Sequence, residues 1–426
     1  MKDRNRDILE DYHPDLPGRL IYKVVMFTSK MILRFRRIKT VYHFDKESMK
    51  GKQVILLADH SAYLNPIYVL PGYPFVNFNI VVGLRHFYLK WEHFLSHIGC
   101  IPKSLFEPDF LCVRQMMSIL KKGGSLCLFP EGIESVLGFA QPINPGTQSF
   151  LKYASVPVVL CKSHGSYLSR PSFGGKRRGP VELHYETLFT PEELKQMDDT
   201  EVYDRLLERF RYNDFQWNKE KLYSYPSKKG NAEGLENIIY ICPKCKKEFF
   251  MTTEKDDIVC TSCGNRIRVE NTYALSPVGD SVMPYRDLVE WYKSQRLRVK
   301  EQLAAPGFRC SYSCRIGILA KDKPRKNPIL DCGEGELVID ATGITYHGTF
   351  KGQTSTLFFD ISGTPSFFFR PGKYNILCYG REYYVFTPVT APEQTVRYMM
   401  MVEELHNLVD PKWKKVSDDA FGCEVL

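Results

Sequence analysis

Three groups of residues in this 426-residue chain combine types and spacings suited to chemistry. Cys242 and Cys245 form one C-x2-C pair, and after fourteen intervening residues Cys260 and Cys263 form a second. Each pair, set in the turn sequences CPKC and CTSCG, lets two thiolates face one tetrahedral ion, so the four read as a zinc site. An iron site of rubredoxin type or two disulfides are the alternatives. Four thiolates leave no open coordination position, so the expected metal is structural and no catalytic metal is called for. His60 lies just beyond the apolar run VILLA, and Glu131 just beyond SLCLF, each at the exit of an expected strand. Open α/β sheets bind ligands at that edge. His60 taken alone also fits a turn, with Asp59 and Ser61 as helix N-caps. A partner at Asn65 meets it only if the chain turns between them.

The elements that position these residues follow from the hydrophobic pattern. Between 53 and about 190, QVILLA, FNIVVG, SLCLF, VPVVL and VELHY alternate with helical stretches, the rhythm of a largely parallel sheet flanked by helices. A polar break, SYPSKKGNAEG at 224–234, separates this unit from the cysteine module. A helix around PYRDLVEWYKSQRLRVKEQL follows. Then come seven β runs (YSCRIGIL, GELVID, GITYHG, STLFFDI, SFFFR, YNILCYG, EYYVFTP) and one amphipathic helix, PEQTVRYMMMVEELHNLV. They predict a small, mainly antiparallel β domain capped by a C-terminal helix, similar to pleckstrin-homology-like domains. The expected organisation is a docking helical region at 1–45, the α/β domain at 46–225, a zinc ribbon at 236–273, and the helix plus β domain at 284–410.

Residues 20–37 place Leu20, Val24, Phe27, Met31 and Phe35 on one arc, flanked by Ile21, Val25 and Ile32. Lys23, Lys30, Arg34 and Arg37 lie on another face. This is the pattern of a basic amphipathic helix in a bilayer interface, and equally of a helix packed on its own domain. A net charge of +9 and a pI near 8.8 suit an anionic membrane surface, an acidic carrier protein, phosphate-bearing small molecules or nucleic acid. Nucleic acid is disfavoured, because within 240–270 Lys244, Lys246, Lys247, Arg266 and Arg268 are balanced by Glu248, Glu254, Asp256, Asp257 and Glu270. The runs KRR at 176–178 and KDKPRK at 321–326 read as solvated loops. The charged opening residues and the lack of any 18-residue apolar run predict a cytoplasmic chain that spans nothing. Thirteen cysteines, an odd number, fit thiols and metal ligands in a reducing compartment.

His-x4-Asn at 60–65, GCIPKS at 99–104, LFPEGIES at 128–135 and VPVV at 156–159 resemble, in order, the four blocks of the glycerolipid acyltransferase superfamily typified by lysophosphatidic acid acyltransferases. The resemblance covers roughly residues 50–190. It implies that His60 is a general base that deprotonates an acceptor hydroxyl, which then attacks the thioester of an acyl-CoA or acyl-carrier donor. An imidazole suits that task near neutrality. Asn65 stands where the family has aspartate, so it can orient the ring without supplying charge. Glu131, with Pro130 and Gly132, is expected to shape the acceptor site. Ile133 and Glu134 replace the family's threonine-arginine, which leaves Lys103 as the expected phosphate contact, with Arg85 and Lys162 behind it. The expected function is a peripheral membrane O-acyltransferase on the cytoplasmic face, acting on a lysophospholipid such as 1-acylglycerol-3-phosphate. The alternative is a lipid-binding or scaffold protein that kept the fold without turnover.

Overall fold

The structure, a computed structural model, describes residues 12–62, 65–322, 326–380 and 382–421. Part of the KDKPRK run and residues 63 and 64 of the His60–Asn65 turn lie outside them.

The first sheet has seven strands: β1 (Lys39–Tyr42), β2 (Ile55–Ala58), β3 (Phe78–Gly83), β4 (Ile101–Lys103), β5 (Ser125–Leu128), β6 (Val158–His164) and β7 (Glu182–Phe189). Their spatial order is β1-β7-β6-β2-β5-β3-β4. All neighbours pair in parallel except β6 and β7, which run antiparallel. β2 and β5 are fully buried, as continuous apolar runs inside a helix-covered sheet should be. One core lies on each face: Leu56, Phe78 and Tyr185 belong to one, and Ile55, Leu57 and Leu160 to the other. β2 thus feeds both cores by simple alternation.

A four-stranded antiparallel ribbon follows: β8 (Met251–Glu254), β9 (Asp257–Cys260), β10 (Arg266–Val269) and β11 (Leu275–Pro277). The helix Leu288–Leu303 leads to a second seven-stranded sheet: β12 (Arg309–Leu319), β13 (Ile329–Asp340), β14 (Gly343–Phe350), β15 (Gln353–Asp360), β16 (Phe369–Arg370), β17 (Tyr374–Tyr379) and β18 (Glu382–Pro388). Its order is β15-β14-β13-β12-β18-β17-β16, antiparallel throughout.

The closing helix, Thr395–Val409, departs from its amphipathic reading: Thr395, Val396 and every residue from Tyr398 to Asn407 are buried. It is wedged between the sheet, the helix Leu288–Leu303 and a further helix, Pro411–Phe421, that the sequence did not suggest. Its acids are paired rather than solvated. Glu404 accepts from Arg296 Nη1 at 2.8 Å and Glu403 accepts from Ser366 Oγ at 2.8 Å, while the Arg296 guanidinium lies over the Phe421 ring. A buried guanidinium is tolerable only with such partners.

The helix Arg19–Phe35 packs through Tyr22, Ser29 and Leu33, and the Tyr22 hydroxyl accepts from the Phe78 N–H at 2.9 Å. Its apolar arc is not what packs. Leu20 is 77% exposed and Phe35 92%, and Val24, Phe27 and Met31 are exposed beside Lys23, Lys30 and Arg34. No helix among the described residues is long and apolar enough to cross a membrane.

Candidate active site

β2 and β5 are adjacent and parallel, so their exits share one edge of the sheet and bring His60 to Glu131. Two backbone links join the exits. The His60 N–H donates to Glu131 Oε2 at 2.7 Å, and the Ser135 N–H donates to the His60 carbonyl at 2.9 Å. Glu131 is buried, and its other oxygen accepts the Gln141 N–H at 2.6 Å. The Tyr212 hydroxyl stands 3.4 Å from it. Burial pushes this carboxyl up to about 8, against the pull of the Gln141 and His60 N–H groups. Glu131 therefore clamps the histidine's own backbone. Gly132 makes the tight turn after it: φ is +73°, its N–H bonds to the Phe129 carbonyl at 2.9 Å, and an added Cβ would meet nothing closer than Leu105 at 3.9 Å. Conformation, not space, calls for glycine there. The Pro130 carbonyl accepts the Asn144 N–H at 3.4 Å and closes the loop.

The His60 ring lies 5.0 Å from the Phe129 ring, and its Nδ1 is buried with no hydrogen-bond partner among the described residues. Burial, and after it the positive charge of Arg85, pulls the imidazole down to about 4. At neutral pH the ring is an uncharged acceptor of protons.

Asn65 is not placed as the orienter of that ring. It starts the helix Asn65–Gly72, and its amide turns toward β6, donating to the Asp59 carbonyl at 3.0 Å, Ser61 Oγ at 3.0 Å and Ser163 Oγ at 2.8 Å. Its carbonyl accepts from Ser166 Oγ at 2.6 Å. The Asp59 carboxylate accepts the Ser163 N–H and Oγ, both at 2.7 Å, and stands 3.4 Å from the Asn65 amide nitrogen. Asp59 thus ties β2 to β6 rather than capping a helix, and burial raises its pKa. The effect expected of Asn65→Asp follows from this placement. A second carboxylate would enter a buried network already holding one, and an unpaired buried charge costs about 3 kcal/mol or more. The new acid should titrate above its unfolded value, so its penalty is small below about pH 4 and grows as pH rises through the raised value. Urea midpoints should fall further below wild type at pH 8 than at pH 5. An unchanged midpoint with faster turnover would show that residue 65 does reach the imidazole.

Lys103, at the end of β4, spends its ammonium on the carbonyls of its own loop, donating to Ser104 and, at 2.9 Å, to Glu107. Lys162 acts on His164, at the β6–β7 side. The charge of Arg85 acts on His60. Glu134 lies half-buried, and the charges of Arg85, Arg370 and Arg170 oppose the upward push of burial on its carboxyl. Arg170 and Arg370 had no signal in the sequence, being far from the recognised blocks.

The four cysteine sulfurs lie within 4.8 Å of one another, with Cys242 to Cys263 at 3.7 Å and Cys245 to Cys260 at 3.8 Å. Zinc–sulfur bonds of about 2.3 Å in a tetrahedron require sulfurs about 3.8 Å apart, so the donor set fits a structural zinc.

Comparison with known proteins agrees on both parts. A zinc-ribbon family described as the 7 kDa subunit of DNA-directed RNA polymerase matches residues 235–269. The chain is 22% identical over 209 residues to a probable 1-acyl-sn-glycerol-3-phosphate acyltransferase of Mycoplasma pneumoniae, covering 46% of this chain and 77% of that protein. It is 25% identical over 134 residues to the chloroplastic 1-acyl-sn-glycerol-3-phosphate acyltransferase BAT2 of Brassica napus, covering 28% of this chain and 38% of the other. Among solved structures, the 1-acyl-sn-glycerophosphate (LPA) acyltransferase PlsC of Thermotoga maritima matches over 43% of this chain and 75% of that one, at 17% identity and a TM-score of 0.36. The chain thus joins an acyltransferase-like part, similar to 1-acyl-sn-glycerol-3-phosphate acyltransferases, to a zinc ribbon.

Proposed function

We propose that the chain transfers an acyl group from a thioester, acyl-CoA or an acyl carrier protein, to the free hydroxyl of a lysophospholipid, 1-acylglycerol-3-phosphate foremost. The observation that carries this reading is the His60 imidazole, whose buried Nδ1 has no hydrogen-bond partner among the described residues and whose backbone is fixed to the Glu131 turn. His60 takes the hydroxyl proton as the oxygen attacks the thioester carbonyl. The carbon–sulfur bond then breaks, and the proton passes to the leaving thiolate. Turnover of a panel of lysolipids and acyl donors by the purified chain tests it. The buried network of Asn65, turned away from the imidazole, favours one rival, a lipid binder without turnover, which the same panel would reveal as binding without product.

The proposal places the protein on the cytoplasmic face of an anionic membrane, docked by the exposed arc of the helix Arg19–Phe35. Basic residues near such a surface contribute about 1 kcal/mol each, so Lys23→Glu, Lys30→Glu and Arg34→Glu together should weaken vesicle binding about a hundredfold or more. Added salt should reproduce part of the loss. Sedimentation with vesicles containing phosphatidylserine measures it, and unchanged binding would remove the helix from the docking surface.

A further inference from the structure

The loop between β5 and the helix Thr147–Ala154 carries the Glu131 turn, yet its apolar side chains do not join the cores of the first sheet. Val136, Leu137 and Phe139 are buried in the core of the zinc ribbon and the C-terminal half, together with Tyr292 of the helix Leu288–Leu303 and Phe421 of the helix Pro411–Phe421. The Phe139 ring stands 5.8 Å from the Tyr292 ring and 5.9 Å, edge-on, from the Phe421 ring, and the Lys293 ammonium lies 5.6 Å over it. A second grip lies earlier in the loop. Ile133, with Leu84, Leu105 and Phe106 of the neighbouring strand exits, packs against Leu319 and Phe368 of the C-terminal half.

The Phe139 backbone in turn holds the two residues that fix His60. Its carbonyl accepts from Ser135 Oγ at 2.7 Å and from Gln141 Nε2 at 3.0 Å, and its N–H donates to Ser135 Oγ at 3.0 Å. Ser135 donates its own N–H to the His60 carbonyl, and Gln141 donates its N–H to Glu131, whose other oxygen takes the His60 N–H. Hydrogen bonds thus lead from one buried phenylalanine to both backbone groups of His60. On its far side the loop is tied again, with the Ala140 N–H on the Tyr212 carbonyl at 3.1 Å and the Asp214 N–H on the Gly138 carbonyl at 2.9 Å. Shortening Phe139 therefore loosens the loop without releasing it.

We infer that Phe139 is a positioning residue for acyl transfer: the C-terminal half holds its ring, and through Ser135 and Gln141 it sets where the His60 imidazole stands. The inference rests on the acyltransferase reading and deepens it, because it gives the C-terminal half a task in the reaction. Misplacing a reacting group by about 1 Å costs about a hundredfold in rate. Lost core volume elsewhere lowers stability but leaves the site of each folded molecule as it was.

The test compares full-length, zinc-loaded wild type, Phe139→Ala, Phe421→Ala and Leu337→Ala at a temperature where melting curves show each one folded. Leu337, buried in the same core on β13, controls for lost packing alone. With 1-hexanoylglycerol 3-phosphate and palmitoyl-CoA, Phe139→Ala should lower kcat roughly thirtyfold or more while KM stays within about threefold, and Leu337→Ala should lower kcat less than about twofold. Phe421→Ala should lower kcat roughly tenfold, and adding it to Phe139→Ala should lower kcat no further, because Phe421 acts through Phe139. Phe139→Leu, which keeps most of the apolar volume, should recover part of the rate, and it replaces Phe139→Ala in every comparison if the alanine variant does not fold. A second measurement needs no turnover. Amide hydrogen exchange at His60 and Ser135 should quicken roughly tenfold or more in Phe139→Ala and keep its wild-type rate in Leu337→Ala. Equal kcat or equal exchange in those two variants, or additive losses in the double variant, would overturn the inference. Failure of the acyltransferase reading appears separately, as no turnover by wild type on any acceptor while exchange at His60 still answers to Phe139.

Discussion

His60→Ala is expected to lower acyl transfer by about a thousandfold, in the range that positioned general acid–base groups supply. Alanine removes the ring that, in the proposed mechanism, accepts the hydroxyl proton. It keeps the backbone N–H to Glu131 and the carbonyl to Ser135, so thermal midpoint and zinc content should stay at wild-type values. The pH profile gives a second reading of the same residue. The base works only when neutral, and burial with Arg85 holds its value near 4, so the acid limb of kcat/KM in wild type should lie near pH 4 instead of near 6.5. Equal steady-state rates for wild type and His60→Ala on one responsive lysolipid would take the chemistry away from this site.

The parts of the site that could be read in advance are those fixed by local geometry. Cysteine ligands two residues apart share a turn by necessity, so 242, 245, 260 and 263 converge as their spacing requires. His60 and Glu131 each end a buried apolar strand, and adjacent parallel strands place their exits together. What the side chains do at that edge depends on partners far away in sequence. Spacing sets Asn65 against His60, five residues before it, but Ser163 and Ser166 of the β6 exit take its amide. The family resemblance leaves Lys103 as the phosphate contact, but carbonyls of its own loop claim its ammonium. Burial on all sides from Tyr398 to Asn407 comes from packing by three neighbours, and the glutamates there disguise it, since their partner Arg296 is over a hundred residues earlier. β1 went unread because KTVY is short and only half-buried on an edge, which leaves no apolar run to notice. The seam between Phe368 and the loops at 84, 105 and 133 has no periodic trace at all.

Loss of zinc should have the largest effect on stability, and it should spread beyond the ribbon. Structural zinc in small modules is worth roughly 10–16 kcal/mol of apparent binding free energy at pH 7, which exceeds the stability of most domains. Here the ribbon also anchors its neighbours. The Trp291 indole donates to the Ile241 carbonyl at 2.9 Å, and Gln295 accepts the Tyr240 and Ile241 N–H groups at 2.6 and 3.0 Å. Ile258, Cys260, Ile267 and Val269 share one core with Trp291, Leu337, Phe386 and Met400. Cys245→Ser should therefore lose the single metal equivalent expected in wild type and raise amide hydrogen exchange through the helices Leu288–Leu303 and Thr395–Val409. β2 and β5, whose cores are separate from this one, should keep more of their protection. Elemental analysis and exchange mass spectrometry on the two proteins measure this. A metal-free variant with wild-type protection in both helices would show that the four thiols pack without needing the ion. In that case the convergence of the sulfurs would reflect the turns alone.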